Sequence, residues 1–193
     1  MRKGEPVSPS IYFGGKMGKV GVMGVGNVLL RDEGFGVKLL YLLKAKYDFP
    51  EEVVLIDGGT AGIFLSPEID YLEKLLIIDA VKASGEAGEV KIYEKEDFFI
   101  DRLPLKLSPH QLGLQEVLLL NEIKGTCPEE VKLIGIIPKS VETGPGLTPE
   151  LERKLPEVEK MVIETLKEWG INPKLKERPE DPGIWWEEKV REA

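Results

Sequence analysis

The chain has 193 residues, of which 34 are acidic and 26 basic, giving a formal net charge of -8. This charge argues against nucleic acid or an anionic membrane as a main partner. The single cysteine, Cys127, excludes an internal disulfide and a CxxC site. No stretch approaches the ~20 apolar residues of a membrane span, and no long apolar run opens the chain. We therefore expect one cytoplasmic domain over residues 1–193, with a core at 19–170 between an irregular arm and a proline-rich tail.

Residues 20–36 predict a strand, a glycine turn and the start of a helix. Val20, Val22, Met23 and Val25 form a short apolar run bounded by glycines, which is typical of a strand covered on both faces. Asp32 is expected to cap the helix that follows, because apolar residues then recur at helical spacing. Glu33 falls in the first helical turn, where the helix dipole favours a carboxylate. Ligands of open α/β sheets bind outside the carboxyl ends of the strands, so Glu33 points to the functional site.

The first 18 residues are expected to be irregular, and the loop after the first strand contains a weak trace of a nucleotide site. Residues 1–18 are rich in glycine, serine, proline and lysine, which is typical of irregular structure. Gly24 and Gly26 begin a dinucleotide-binding pattern, but Leu29 occupies the place of the third glycine. A nucleotide-binding domain is therefore a weaker alternative that rests on this turn alone.

Four further strands are predicted, at residues 53–56, 75–78, 90–93 and 131–137. The connection before residues 75–78 is long enough for a parallel crossover. The segment before residues 90–93 is too short for one, so this strand is predicted to be an antiparallel edge. The fold class is thus α/β: a three-layer α/β/α sandwich around a mostly parallel, twisted five-stranded sheet with one antiparallel edge strand.

Two helical regions complete the predicted domain. Residues 108–111 have the pattern of a capping box with proline at the first helical position. Pro156 is expected to interrupt the last helical region, which Gly170 ends. The predicted buried face of the first of these helices consists of Leu114, Val117, Leu118 and Ile123.

The tail beyond residue 172 contains two adjacent tryptophans, Trp185 and Trp186. Two indoles left in water would be costly, so we expect both to be buried. They would pack against this domain or, alternatively, anchor a partner or a second copy of the chain.

Three side chains that can bind a metal are predicted to meet at one edge of the sheet. Glu33 follows the first strand, Asp79 ends the third, and His110 lies in the first turn of a later helix. A helix N-terminus disfavours an imidazolium, so the ring of His110 is kept neutral and able to bind a metal. Two carboxylates and one imidazole leave a position open, as in a catalytic or transient site. Taken singly, each residue also has a plain explanation as a dipole partner, a turn former or a surface histidine.

Five motifs together give the chain a family resemblance. They are GVGNVLLRDEGFG at 24–36, IDGGTAG at 56–62, IIDAV at 77–81, SPHQLGL at 108–114, and IGIIP at 134–138 with the later GLTPE at 146–150. In this order they resemble the maturation endopeptidases of nickel-iron hydrogenases, over residues 19–169.

The resemblance implies an activity, a substrate and site residues. In that family a peptide-bond hydrolase removes the C-terminal extension of the hydrogenase large-subunit precursor after nickel insertion. By motif position, the family's metal-contacting residues fall on Glu33, Asp79 and His110, which are thereby also the catalytic candidates. Two hard carboxylates and one imidazole can share nickel that another protein presents. The nickel would arrive with the substrate, and no tightly bound cofactor is expected.

The motif at 57–60 is the candidate substrate-binding segment. Gly58 and Gly59 would allow close backbone approach to an extended peptide, with Asp57 and Thr60 as polar contacts. A tight turn between strand and helix is the alternative explanation.

A binding protein without hydrolytic activity is the main alternative function. It would sense nickel and act as a chaperone of the same precursor. The expected partner in either case is the large-subunit precursor, with neither nucleic acid nor membrane. We expect a monomer, with a dimer as the alternative if the tail joins two copies.

Overall fold

The computed structural model describes residues 11–12, 20–98 and 109–188, with the backbone alone for residues 11–12, 63, 109–112 and 188. No helix within these ranges is long and apolar enough to cross a membrane.

The chain alternates between strands and helices. The strands are β1 (Ile11–Tyr12), β2 (Val20–Val25), β3 (Tyr47–Asp48), β4 (Val53–Gly59), β5 (Lys74–Ala80), β6 (Val90–Glu94), β7 (Glu130–Ile136) and β8 (Lys174–Leu175). The α-helices are α1 (Phe35–Lys46), α2 (Ser66–Ile69), α3 (Pro109–Lys124), α4 (Pro149–Glu152), α5 (Leu155–Glu168) and α6 (Trp185–Glu188). Three 3-10 turns lie at Arg31–Gly34, Gly62–Leu65 and Lys95–Phe98.

The main sheet has the strand order β1-β4-β2-β5-β7-β6. Its four inner strands are parallel, whereas β6 pairs with β7 in the antiparallel direction. The five predicted strands and the antiparallel edge are thus confirmed. Within the predicted irregular arm, Ile11–Tyr12 adds a short antiparallel strand beside β4 at the other edge. Residues 1–10 and 13–18 of that arm lie outside the described part of the chain.

Two hydrophobic cores lie on opposite faces of this sheet. Helices α1 and α5 cover one face, and α2 and α3 cover the other. Side chains of β2 alternate between them, because Val22 belongs to the first core and Met23 to the second. This arrangement confirms the three-layer α/β/α sandwich.

The later helices follow the predictions with one exception. Helix α3 begins at Pro109, and Pro156 lies in the first turn of α5 after the break that follows α4. The prediction that Ile123 is buried is wrong, because its side chain is 77% exposed. Asn121 occupies the buried face instead, where its Oδ1 accepts a hydrogen bond of 2.7 Å from the hydroxyl of Ser66.

Helix α1 lies unusually close to the middle of the sheet because glycines face each other across the contact. A methyl group on Gly36 would lie 2.0 Å from the carbonyl oxygen of Ile78. One on Gly24 would lie 2.4 Å from the carbonyl oxygen of Gly36. Both distances are shorter than any side chain permits, so the first turn of α1 is fixed against β2 and β5.

The prediction that Asp32 caps this helix is wrong. Helix α1 starts at Phe35, and the residue before it, Gly34, makes no side-chain capping bond. Asp32 lies three residues ahead of the helix, inside the 3-10 turn, and is completely buried. A buried carboxylate needs hydrogen-bond donors, and here they come from another part of the chain.

Asp32 joins the first loop to the segment that follows β7. Its Oδ2 accepts hydrogen bonds from the backbone N–H groups of Lys139 and Ser140, both at 2.9 Å, and from the hydroxyl of Thr148 at 3.0 Å. Its Oδ1 accepts the backbone N–H of Thr148 at 2.7 Å. These four bonds hold the loop of residues 26–34 in place.

The tail returns along α1 instead of leaving the domain. Strand β8 pairs with β3, and the backbone N–H of Lys176 donates to the carbonyl of Lys46 at 2.9 Å. Further on, the N–H of Glu180 donates to the carbonyl of Ala45, also at 2.9 Å. The tail therefore runs from the C-terminal end of α1 towards its N-terminal half.

Helix α6 covers the N-terminal half of α1 with one of its two indoles. Trp186 is 5% exposed and packs beside Val37, with its ring edge-on to Tyr41 at 5.3 Å between centroids. The predicted packing of the tail against the domain is confirmed for Trp186. The expected burial of Trp185 is wrong for this chain by itself. Trp186 packs against Val37 and Tyr41, whereas Trp185 stays 52% exposed.

A buried lysine fastens the same part of the tail. The Nζ of Lys38 contacts the carboxylate of Glu187 at 2.7 Å and that of Glu152 as well. Because Lys38 is buried, its charge needs a carboxylate nearby, and here two carboxylates are in contact with it. Helix α6 is thus attached by an ion pair in addition to the indole.

We expect Asp32→Ala to lower the free energy of unfolding by about 3 kcal/mol, because several buried donors lose their acceptor. Urea unfolding followed by circular dichroism measures the change. Glu150→Ala is the matched control, since the carboxylate of Glu150 lies at the surface, where it pairs with Lys139 at 3.2 Å. Its expected effect is below about 1 kcal/mol. Equal effects of the two variants would contradict the role of Asp32.

We expect Trp186→Ala to destabilise the protein by about 3 kcal/mol, the usual cost of removing a buried aromatic side chain. For a chain of this length that corresponds to a melting temperature lower by roughly 6–12 °C. Trp185→Ala should change the free energy of unfolding by less than about 0.5 kcal/mol, because that side chain is half-exposed. Thermal unfolding of both variants provides the comparison, and an unchanged melting temperature for Trp186→Ala would show that the tail contributes no packing.

Candidate functional site

The loop after β2 and the end of β5 meet at the point in the sheet where the strand order reverses. From β2 the chain crosses through α1 to β4 on one side, whereas β5 and the strands after it lie on the other. The carboxyl ends of β2 and β5 therefore border a crevice, the usual ligand site of such sheets. Glu33 belongs to the loop after β2, and Asp79 is the penultimate residue of β5.

Gly26 is the point at which these two residues come together. A methyl group on Gly26 would lie 1.7 Å from the carbonyl oxygen of Glu33 and 3.7 Å from Oδ1 of Asp79. Gly26 has a φ of 129°, which a residue with a side chain rarely adopts. Its N–H donates to the carbonyl of Gly59 at 2.8 Å, which joins the loop to the end of β4.

The prediction that Glu33 lies in the first turn of α1 is wrong, because it belongs to the preceding 3-10 turn, Arg31–Gly34. The chain enters this turn through Arg31, whose φ is 46°. The N–H of Arg31 donates to the carbonyl of Gly144 at 2.9 Å, and that contact holds the strained residue in place. The backbone around Glu33 is thus fixed by tertiary contacts.

The two carboxylates lie in different surroundings. Asp79 is completely buried, and Glu33 is 8% exposed. Within the part of the chain that the structure describes, the side chain of Glu33 has no hydrogen bond or ion pair. An almost buried carboxylate costs free energy unless it gains a cation or a donor. Glu33 is therefore suited to bind a ligand.

His110, the third predicted metal ligand, is the second residue of α3. The N-terminal part of α3 packs against the 3-10 turn that follows β4, since a methyl group on Gly62 would lie 3.7 Å from Cα of Gly113. The side chain of His110 lies outside the described residues. Among the side chains that are described, no three acidic, histidine or cysteine residues form a metal cluster. The three-ligand site stays a prediction.

A cavity of about 200 Å³ adjoins Gly26 and includes most of the predicted substrate-binding segment. Asp57, Gly59 and Thr60 line it, whereas Gly58 is buried with its Cα facing Met23. The other lining residues are Gly26, Asn27, Val28, Val37, Tyr41, Trp185 and Trp186. The tail thus closes one side of a cleft that reaches the crevice between β2 and β5.

Asp57 is held at the wall of this cavity by two donors. Its Oδ2 accepts a hydrogen bond from the hydroxyl of Tyr41 and its Oδ1 one from the N–H of Gly59, both at 3.1 Å. Burial raises the pKa of Asp57 above its usual value, and the two hydrogen bonds oppose that shift. Burial and the nearby charge of Asp57 raise the pKa of Tyr41 to about 12, so its hydroxyl stays a donor.

Sequence reasoning missed two residues that shape the site. Asp32 looks like a helix cap in the sequence, and its role depends on Thr148, which is far away along the chain. Tyr41 lies within the apolar sequence of α1, and nothing in that sequence indicates that its hydroxyl binds Asp57. The presence of Thr148 in the motif GLTPE was the available signal for the role of Asp32. We find no sequence signal for the role of Tyr41.

Comparisons with a family model, with curated proteins and with solved structures all identify the same family. The family model described as HycI, hydrogenase maturation protease, matches residues 37–165. This range contains Asp57, Asp79 and His110, but it begins after Glu33 and ends before the tail.

The chain is similar to the hydrogenase 2 maturation protease of Escherichia coli, with 36% identity over 150 residues, 78% of this chain and 92% of the relative. It is 32% identical over 182 residues to the hydrogenase expression/formation protein HupD of Rhizobium leguminosarum, covering 94% of this chain and 85% of that one. Among solved structures, it resembles the hydrogenase maturating endopeptidase HybD from Escherichia coli, with a TM-score of 0.77 and 36% identity, covering 82% of this chain and 98% of the other. With a family match over most of the domain and relatives that are named proteases, this chain belongs to the hydrogenase maturation proteases, a family of peptide-bond hydrolases.

Proposed function

We propose that this protein removes the C-terminal extension of a nickel-iron hydrogenase large-subunit precursor after nickel has been inserted, and that it recognises the nickel held by that precursor. The observation that carries this proposal is that the backbone of Glu33 and the carboxylate of Asp79 both lie beside Gly26. Two carboxylates at the crevice of an α/β sheet, one of them without a protein partner among the described residues, fit a divalent cation that arrives from outside.

Each of the three candidate residues has a role in this proposal. Glu33, Asp79 and His110 hold the metal-bearing part of the substrate, and their mixed oxygen and nitrogen donors suit nickel. Bound nickel would supply a Lewis acid that polarises the scissile carbonyl or an attacking water. One carboxylate can accept a proton from that water, since general bases of this type act over hydrogen-bond distance.

The cleft beside Gly26 is the proposed binding site for the extended substrate segment. Asp57 and Thr60 offer polar groups along its wall, and Gly26 and Gly59 leave room for a second backbone. A substrate chain that lies in this cleft passes directly beside the crevice that holds Asp79. Binding and hydrolysis would then use one continuous surface.

The alternative of a nickel-sensing chaperone without activity is not favoured, because the relatives are named as proteases and endopeptidases. Mass spectrometry of nickel-loaded precursor after incubation with the purified protein tests the proposed reaction. Loss of the C-terminal extension supports hydrolysis. Binding of the precursor without any change in its mass would instead support the chaperone.

We expect Glu33→Gln, Asp79→Asn and His110→Ala each to slow precursor processing by about 10²-fold or more, since each removes a group that acts on the reacting atoms. The measurement is the rate at which the extension is released. Glu142→Gln provides a matched control, because Glu142 is an exposed carboxylate in the neighbouring segment. Melting temperatures of the variants show whether a loss of processing comes from unfolding or from the altered site. Full activity in any two of the three variants would refute the site.

We also expect the purified protein to contain no stoichiometric metal after dialysis against a chelator, yet to bind added nickel, zinc or cadmium. Calorimetric titration should show that Glu33→Gln weakens this binding by about tenfold or more, since loss of a residue that only supports a ligand already costs about 10–100-fold. Elemental analysis provides the first measurement. Zinc that survives the chelator would indicate a resident metal and an ordinary metallopeptidase.

A further inference from the structure

We propose that Trp185 of the C-terminal tail, together with Asp57, forms a subsite that binds a positively charged side chain, lysine or arginine, of the substrate polypeptide. This inference rests on the proposed function, because it concerns how the same substrate is held. It assigns a role to a segment that lies outside the range matched by the family model.

The first support is the position of Trp185. Its indole lines the cavity beside Asp57 while remaining 52% exposed, and it stands edge-on to the buried Trp186 at 5.6 Å between centroids. Trp186 and the Lys38–Glu187 ion pair already attach the tail. The indole of Trp185 is therefore not needed for packing and is free to contact a ligand.

The second support is the charge of the cavity. Asp57 is the only carboxylate among its described lining residues, and no lysine or arginine is found among them. The hydroxyl of Tyr41 and the N–H of Gly59 each occupy one lone pair of Asp57, so further acceptor positions remain on both oxygens. Among the described residues no cation pairs with this carboxylate.

The third support is the combination of a carboxylate with an aromatic wall. A cation over an indole is attracted by the ring, and tryptophan is the strongest partner for this contact. A partly buried carboxylate adds a charge-assisted hydrogen bond. The charge of Asp57 would repel an anionic ligand. A purely apolar ligand would cover the Asp57 carboxylate without offering it a cation or a hydrogen-bond donor. The net charge of -8 also favours a cationic segment as it approaches.

The size of the cavity, about 200 Å³, suits one side chain and not a folded domain. It adjoins Gly26 and thereby the crevice between β2 and β5. A side chain held between Trp185 and Asp57 would place the backbone of its own segment at the edge of that crevice. The tail would then contribute to substrate selection.

The test uses the full-length protein labelled with nitrogen-15 at tryptophan and blocked peptides of the form Gly-Gly-X-Gly-Gly, where X is arginine, lysine, glutamine, leucine or glutamate. Indole N–H signals follow the titration, and Trp169, which packs beside Lys74 at a distance from the cleft, serves as internal reference. We expect the Trp185 signal to shift with arginine and lysine, with affinities about tenfold above those for the other peptides.

Variants decide whether the proposed groups cause this preference. Trp185→Ala and Asp57→Asn should each weaken binding of the arginine peptide by about tenfold, whereas Trp185→Phe retains an aromatic face and should stay within about threefold. The Trp186 signal reports binding in the variants that lack the neighbouring indole. Leu175→Ala is the matched control, because Leu175 is an exposed apolar residue of the same tail far from the cleft, and it should bind as the unaltered chain does.

Equal affinities for the arginine, glutamine and leucine peptides, unchanged binding by Trp185→Ala, or no shift with any peptide would each overturn the proposal. Precursor processing separates this outcome from failure of the proposed function. If the peptides bind as expected but the precursor is not cleaved, the proposed function fails and the cation subsite stands. If the precursor is cleaved while the peptides show no preference, only the subsite is wrong.

Discussion

The buried carboxylate of Asp32 is the interaction on which the site depends. A completely buried charge is tolerated only when donors surround it, and here four hydrogen bonds from residues 139–148 do so. They connect the loop after β2 to the segment after β7, two parts of the chain that are more than a hundred residues apart. These bonds also fix the backbone of the next residue, Glu33, beside the carboxyl end of β2. Asp32 and Glu33 are adjacent in sequence, yet Asp32 is surrounded by donors, whereas the side chain of Glu33 has no partner among the described residues.

Close contacts at glycine set the second constraint. Gly24 and Gly36 allow α1 to approach the middle of the sheet, and Gly26 allows the backbone carbonyl of Glu33 to approach the chain just after β2. None of these contacts tolerates a side chain, so the crevice between β2 and β5 is shaped by backbone more than by side chains. A substrate backbone can approach such a surface closely, as hydrolysis of a peptide bond within a larger protein requires.

The cleft combines parts of the family domain with parts that lie beyond it. Asp57 and Tyr41 fall within the matched range, whereas the loop before residue 37 and the tail fall outside. Lys38 ties these regions together, since its ammonium contacts carboxylates from α4 and from the tail. The buried ammonium of Lys38 favours nearby carboxylates, and its pair with Glu187 helps to hold the tail beside the cleft at Asp57. A hydrophobic contact alone would fix the position of the tail less specifically.

The sequence by itself determined the class of fold, the five main strands and the family, because buried strands, glycine turns and ordered motifs are local patterns. It also singled out Glu33, Asp79 and the segment at 57–60, since residues after parallel strands share one edge of the sheet. Only the tertiary structure decided what Asp32 does, which face of α3 is buried and which indole is exposed. Each of these depends on a partner that is distant along the chain: Thr148 for Asp32, Ser66 for Asn121 and Tyr41 for Trp186. Local periodicity carries no information about such partners, because a hydrogen-bond donor or an aromatic ring is supplied by whichever element the fold brings alongside.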